Sequence, residues 1–515
     1  MTLPDIADIG NQVLRGGVRV TGTNGNGEDL EVRVSQGNAT RKPGQHEYVM
    51  FVQNRDTVVT RVRATIDRFN LPIELVGIVD ATREGNPNYA GSLDKVVSLT
   101  PAANRTTPFL DPNVAVHLKG ILGVNAVYSG WGFLAESASA IDIWEKAGLI
   151  HVGPRTATIY NLGDKVQFRR ICQEINVPVV PGTFDYVNSA EEARRIFDKL
   201  GGKPIRIKAA NGGGGMGQVV ARSLDEVEGA YRSALESALR NFGDSKLYVE
   251  LNLDTSGEVL RHIEVQFMGN GNGDVQIHGD RDCSIQDKNK KLIEIGTADF
   301  IDQETRDQLY QYTREIAKRL NYRGAGTFEF LIAKSTGEYR IYGLEINARL
   351  QVEHPVTEML TDVDLVYEQL KVALGLGELQ DMSGRVRPGF GRAMELRILA
   401  EQYRDGGFHP CPGKITALEW PTAPYVRIET AVIAGSEITP HFDSTIGRMI
   451  IHGHNLEELF ENARKAVNNT RIEGLRGTTL HSVFQPLFND ERAVARLLNQ
   501  QYGLNDLKGI MPPYS

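Results

Sequence analysis

The segment Glu345–Met359, EINARLQVEHPVTEM, sets five polar chemistries at alternate positions: Glu345, Asn347, Arg349, Gln351 and Glu353. Side chains two apart share a face in extended chain. One edge would therefore present metal-binding oxygens, then a fixed guanidinium, then an amide, then a carboxylate. That order suits a place where a metal-bound nucleotide meets a small oxyanion. An ordinary half-buried strand needs only apolar residues inside and solvated ones outside, which gives no reason for this succession of types.

A second anion-binding candidate is KAANGGGGMGQ, beginning at Lys208. Its glycines Gly212, Gly213, Gly214 and Gly215 let backbone N–H groups approach a phosphate closely, because no Cβ intervenes. Linkers share that composition, but this run follows the strand PIRIKAA directly, and Lys208 at its start offers a point charge. Lys165, in GDK, is another such lysine; taken alone it is equally a solvated surface residue. RDCSIQDKNKKLIEIG holds Gln286, Lys288, Lys290 and Lys291, and alternation turns Lys291 to the side opposite Lys288 and Lys290. Glu329, in GTFEFL, precedes Glu345 by about one hairpin. Like charges facing across strands repel, which favours a cation between them, as Mg²⁺ bridging nucleotide phosphates would be.

Elements able to position these residues follow from periodicity. Tyr48–Asn54, IELVGIVD and NAVYSGWGF read as strands alternating with helices, a parallel α/β domain over about 46–165. SGWGF falls at a strand's carboxyl end, where such sheets gather ligands. Residues of about 185–255 form a small strand–Gly loop–strand lobe with flanking helices, a mobile flap. From about 260 to 380, HIEVQFMG, DVQIHG, AGTFEFLIA and YRIYGLEIN predict a mostly antiparallel sheet. Beyond Arg392 come the strands AMELRILAE, VRIETAV and RMIIHG, and a helix from near Leu456. Residues 1–45 are rich in Gly and Asn, with a hairpin over GTNGNGEDLEVRV and then a polar link. Residues 486–515 read as a tail.

The 515 residues are 41% hydrophobic and 24% charged, ordinary for a globular chain of about three domains. A net charge of −8 argues against nucleic-acid binding. Cys172, Cys283 and Cys411 lie far apart without CxxC spacing, so they read as reduced thiols. No signal-peptide pattern opens the chain and no apolar run would span a bilayer, so a cytoplasmic enzyme without membrane attachment is expected.

Across about residues 46–485 the chain resembles the biotin carboxylase component of biotin-dependent carboxylases, an ATP-grasp enzyme. The resemblance rests on SGWGFLAE, GDK, KAANGGGGMG, RHIEVQ, RDCSIQ, GTFEFL, EINARLQVEHPVTEM, MELRI, PCPGKI and the EG at Glu473, in matching order and spacing. It implies an α/β protein of the ATP-grasp fold. An N-terminal parallel α/β (preATP-grasp) domain would span 46–165, an ATP-grasp domain 166–380 with a mobile lid at about 185–255, and a mixed α+β C-terminal domain 381–485. The resemblance places Lys165 and Lys208 on ATP phosphates, under the Gly212–Gly215 loop. It sets Glu250 and Leu253 at the adenine hinge, and His262 with Gln286 near the ribose. Glu329 and Glu345, helped by Asn347, would hold Mg²⁺ or Mn²⁺. Arg349, Gln351 and the backbone of Val352 would grip bicarbonate, Glu353 would be its base, Lys291 would stabilise carboxyphosphate, and Arg397 would face the biotin enolate.

The implied substrate is biotin on a separate carrier, because the sequence holds no MKM-type biotinylation site. The implied partners are a biotin carboxyl carrier protein and carboxyltransferase subunits of an acyl-CoA-type carboxylase, around a homodimer. Four departures stand out. Met216 replaces the usual Arg or Lys of the glycine loop, and Asn289 a frequent His. YSGWGF replaces HPGYGF, and NRDTVV, with Asp56 at a glycine position, replaces NRGEIA. Carbamoyl-phosphate-type synthetases share the grasp motifs but are expected to lack QVEHPVTEM. A non-catalytic subunit would have no reason to keep Lys291, Arg349, Glu353 and Arg397.

Overall fold

The structure, a computed structural model, describes residues 18–23, 29–36, 46–84, 87–100, 106–212, 217–255, 258–287, 290–335, 337–379 and 391–512. β1 (Val18–Thr23) and β2 (Asp29–Gln36) form the hairpin read at the start of the chain. The polar link expected after it lies outside the described residues. Five parallel strands follow: β3 (Tyr48–Val52), β4 (Ile73–Asp80), β5 (Lys95–Thr100), β6 (Ala126–Tyr128) and β7 (Ile150–His151). Met50, Phe51 and Val52 are fully buried, as expected where helices cover both faces of a parallel sheet. The hairpin is part of this sheet: β2 pairs antiparallel with β5, Glu31 opposite Thr100. Helix α1 (Asp56–Arg68) buries Val58, Val62 and Ile66, four residues apart on one stripe.

The flap is a lobe with its own core. α2 (Ala190–Lys199) and α3 (Val227–Phe242) cover an antiparallel sheet of β8 (Ile205–Ala209), β9 (Gln218–Ala221) and β10 (Leu247–Leu251). Phe197, Ile205, Ile207 and Val249 meet inside it.

The centre of the molecule is an eight-stranded antiparallel sheet. Its strands are β11 (Val259–Asn270), β12 (Val275–Asp287), β13 (Lys290–Gly296), β14 (Arg323–Ser335), β15 (Glu338–Asn347), β16 (Arg392–Leu399), β17 (Val426–Glu429) and β18 (Thr445–Gly453). They run in the order β15-β14-β11-β12-β13-β16-β18-β17. The boundary expected near residue 381 therefore divides the chain but not the sheet, since β16 hydrogen-bonds to β13. α4 (His354–Thr361) packs against β12, β13, β16 and β18.

Residues 486–512 are not a loose tail. After α5 (Leu456–Asn468), α6 (Glu491–Leu498) and the segment beyond it bury Leu497, Tyr502, Leu507 and Ile510 in the core shared with β16 and β18. The N–H of Leu504 donates to the Leu260 carbonyl at 2.9 Å. Single apolar residues spread among polar ones hid this docking in the sequence. Among the described residues, no helix is long and apolar enough to cross a membrane.

Buried ion pairs join the first domain to the last. Arg61 of α1 lies 2.8 Å from Glu358 of α4, 2.9 Å from Asp364 and 3.4 Å from Glu429 of β17, and Arg427 lies 2.8 Å from Glu358. Burial works against the Glu358 charge, but Arg61 and Arg427 outweigh it and hold the carboxyl down to about 2. A carboxyl depressed on folding stabilises the protein above its ordinary value of 4.5 and loses that contribution as pH falls toward about 2. The stake is about 3 kcal/mol. Glu358→Gln should lower stability at neutral pH and flatten its fall across that acid window, read as the denaturant midpoint at each pH.

Candidate active site

Three acids stand in register across neighbouring strands: Glu264 of β11 faces Glu329 of β14, which faces Glu345 of β15. Only cations make such a row tenable. Lys291 of β13 donates to Glu264 at 2.6 Å, to Glu329 at 2.9 Å and to Glu353 at 2.7 Å. Its three N–H groups thus meet three carboxylates. At the far end of the row, Lys165 lies 2.7 Å from Glu345. Lys290 turns the other way, to Glu401, as strand alternation requires.

Glu329 also accepts from Asn347 Nδ2 at 2.8 Å and Gln351 Nε2 at 3.0 Å, and His262 Nε2 lies 3.0 Å from it. Burial opposes its charge, yet Lys291 and His262 hold the carboxyl well below the usual range. His262 is in turn raised, with the Glu329 charge outweighing its burial. Glu353 behaves likewise: burial is overridden by Lys291, Arg397 and Arg281, so its carboxyl lies far below 4.5. Arg397 Nη2 reaches Glu353 Oε2 at 3.0 Å.

The strand expected through Glu353 stops at Asn347. β15 is an edge strand, and the chain leaves it to enter α4, which carries Pro355 in its first turn, where a missing N–H costs nothing. Gln351 O accepts from His354 Nδ1 at 2.7 Å, and Leu350 is fully buried. Arg349, Gln351 and Glu353 consequently reach the site from a curled loop, not from a pleated edge. Two outside groups hold that loop. Glu136, after β6, accepts from Arg349 Nε at 2.8 Å and from the Ala348 N–H at 3.1 Å. Arg448 of β18 donates to the Val352 carbonyl.

A cavity of about 550 Å³ opens here. Lys165, Lys208, Gly212, His262, Gln286, Lys291, Glu329, Glu345, Asn347, Arg349, Gln351, Val352, Glu353 and Arg397 all line it. Its walls also include Leu344 and Leu504, which pack beside the Leu260–Leu331–Ala333 cluster together with Leu253. Glu250 is not in the cavity wall. Its carboxylate is taken by Lys208 at 3.0 Å and approached by Arg169 at 3.5 Å. Gly213, Gly214, Gly215, Met216 and Asn289 lie outside the described residues.

The carboxylates of Glu329 and Glu345 and the amide oxygen of Asn347 are hard donors of the kind Mg²⁺ or Mn²⁺ accepts. Glu329 and Glu345 are now neutralised by Lys291 and Lys165, so the donor set fits a metal–phosphate group that would take over those contacts. Sequence reasoning missed Glu264, although period-2 spacing from His262 in RHIEVQ signals it. It also missed Glu136 and Arg281. The latter donates to Glu264 at 2.6 Å and to Gln351 Oε1 at 3.0 Å. Of the departures, Asp56 adopts φ 48°, the left-handed region a glycine enters without strain. Its carboxylate lies 2.7 Å from Arg55, and burial pushes it up to about 6.

Comparison with known proteins agrees across residues 48–501. Family models match in sequence: the biotin carboxylase N-terminal domain over residues 48–159, the ATP-binding domain of the carbamoyl-phosphate synthase L chain over 164–381, and the biotin carboxylase C-terminal domain over 395–501. The chain is 34% identical over 430 residues to biotin carboxylase 1 of Bacillus subtilis, covering 83% of this chain and 92% of that protein. It is 41% identical over 355 residues to the biotin-dependent acyl-coenzyme A carboxylase alpha3 subunit of Mycobacterium leprae, 68% of this chain and 57% of that subunit. Among solved structures, the biotin carboxylase domain dimer of Hydrogenobacter thermophilus 2-oxoglutarate carboxylase, in complex with MgADP, ADP and bicarbonate, superposes with a TM-score of 0.82. That match has 31% identity and covers 90% of this chain and 98% of the other. With all three domains matched in order on an ATP-grasp scaffold, the chain belongs to the biotin carboxylase family of ATP-dependent ligases.

Proposed function

We propose that this chain carboxylates biotin carried on a separate protein, using ATP and bicarbonate by way of carboxyphosphate, as the biotin carboxylase subunit of an acyl-CoA-type carboxylase. The observation that carries this reading is the convergence of Lys291, Arg349, Glu353 and Arg397 on one cavity with the Glu329–Glu345 pair. The acyl-CoA assignment is supported by the 41% identity to the mycobacterial acyl-coenzyme A carboxylase subunit.

Lys165, Lys208 and Gly212 would bind the ATP phosphates, with the apolar wall of Leu344 and Leu504 beside the adenine. Mg²⁺ on Glu329, Glu345 and Asn347 would neutralise phosphate charge as it shifts. Arg349 and Gln351 would fix bicarbonate beside Glu353, the base that removes its remaining proton as the γ-phosphate is attacked. Resting Glu353 is a poor base, because Lys291 and Arg397 hold its charge. Phosphate oxygens compete for the same Lys291 N–H groups, and each donor that Glu353 loses raises its basicity. Bound nucleotide would in this way switch on the base. Carboxyphosphate then yields CO₂ and a basic phosphate that deprotonates the ureido nitrogen of biotin, and Arg397 stabilises the enolate.

Three variants separate these roles. Glu353→Gln keeps shape but cannot take the proton, so bicarbonate-dependent ATP cleavage should fall about 10²–10⁴-fold with nucleotide binding retained. Arg349→Ala should also raise the KM for bicarbonate, by about 10-fold or more, as a charge-assisted contact is lost. Arg397→Ala should spare ATP cleavage and depress transfer to biotin. Parallel assays of ADP release and biotin carboxylation decide it; normal ATP cleavage by Glu353→Gln would remove the base assignment.

The lobe of residues 185–255 has a core of its own and shares the phosphate-facing wall of the cavity through Lys208 and Gly212. Its amides should gain hydrogen-exchange protection when Mg-ATP binds, while those of β11 and β14 should not change. Equal protection of the lobe with and without nucleotide would contradict a closing lid.

A further inference from the structure

One pair of acids beside the cavity has no part in the chemistry above. Glu294 of β13 stands directly opposite Glu395 of β16, and both side chains are fully buried. None of their four carboxylate oxygens accepts a hydrogen bond. Two ionised carboxylates so placed would repel each other, and buried charge of that kind requires close compensation.

The cation between them is Arg397. Its Nη2 lies 2.6 Å from Glu294 Oε1 and 3.0 Å from Glu353 Oε2, whereas its Nε stays 4.0 Å from Glu395 Oε1. The surrounding cations are engaged elsewhere. Lys291 serves Glu264, Glu329 and Glu353, and Arg281 of β12 serves Glu264. Arg448 of β18, directly opposite Arg397, is drawn to Glu429 and to the Val352 carbonyl. Cys283 of β12 is kept a neutral thiol, chiefly by burial. One guanidinium thus faces three carboxylates.

We propose that Glu294 and Glu395 share a single proton held on Glu395, and that the charge left on Glu294 is the counter-ion that positions Arg397 for transfer to biotin. This rests on the reading of Arg397 as the group that meets the biotin enolate. Burial acts in the same sense, raising Glu395 well above the usual carboxylate range and Glu294 to about 7. The geometry also links the two half-reactions. While Glu353 is ionised, Arg397 is drawn between it and Glu294. Once Glu353 has taken the bicarbonate proton, its pull on Arg397 weakens. The guanidinium then rests on Glu294 alone, with an Nη2 hydrogen free for the enolate oxygen. Glu294 is accordingly a positioning residue.

As pH falls through about 7, Glu294 takes a proton and Arg397 loses its counter-ion, so transfer should slow while ATP cleavage without biotin does not follow. With the full chain and biotin as acceptor, Glu294→Gln should cut carboxylation by about 10-fold or more, leave the KM for bicarbonate within about 2-fold, and abolish that acid limb. Glu294→Asp should recover part of both the rate and the limb. Glu395→Gln copies the protonated acid, so it should keep the limb and more of the rate than Glu294→Gln. In the wild-type protein at neutral pH, infrared spectroscopy should show a protonated-carboxyl C=O band that Glu395→Gln removes. A wild-type rate and limb in Glu294→Gln, equal losses in both Gln variants, or absence of the band would each overturn the proposal. If the wild-type chain cleaves ATP but carboxylates neither free nor carrier-bound biotin, the functional reading fails, and the infrared band still decides whether the pair shares a proton.

Discussion

The site depends on one buried ammonium. Lys291 is the shared counter-ion of Glu264, Glu329 and Glu353, which reach it from β11, β14 and the start of α4. Removing such charges from water is costly, and the mutual attraction recovers that cost only where geometry is tight. Five buried acids, Glu264, Glu294, Glu329, Glu353 and Glu395, nevertheless crowd this face of the sheet. Apolar residues of similar volume would serve stability at least as well. The excess negative charge makes sense as a place for cations that come and go, where bound metal and phosphate redistribute what Lys291 and Lys165 now neutralise.

The central sheet makes the arrangement possible because its register fixes neighbours in pairs. Glu329 can lie between Glu264 and Glu345 only if three strands hold the same phase, and a one-residue slip would turn one acid to the opposite face. The β14–β15 pairing shifts register between Glu329 and Phe330, so the long β11–β14 ladder is what resists that slip. β11 and β14 pair without a break from Val259–Lys334 to Asn270–Arg323.

Much of this was legible from the sequence. Alternation placed Lys291 opposite Lys290 in direction, and strand–helix alternation identified the parallel first domain. The five polar positions from Glu345 to Glu353 all line one cavity, and period-2 spacing accounts for only part of that. Period-2 logic holds through Asn347, and a loop and a helix start do the rest, set by Pro355 and by contacts from Glu136 and Arg448 that lie about two hundred and one hundred residues away in sequence. Local pattern cannot report such partners. The C-terminal segment was misread for a related reason, since its apolar residues show their purpose only against a core formed by β16 and β18.

The same distant contacts explain why the first domain matters to a site it scarcely lines. Glu136 grips one end of the Arg349–Glu353 loop, and Arg448 grips the other through Val352. Arg448 also pairs with Glu429, which lies 3.4 Å from Arg61 of α1. The loop is therefore spanned by two ties that both lead back to the N-terminal domain, one through the turn after β6 and one through α1. A shift of that domain relative to the central sheet would move Arg349 and Val352 together, so the geometry of this loop and domain packing are one constraint. The lobe of residues 185–255 has a core separate from these ties.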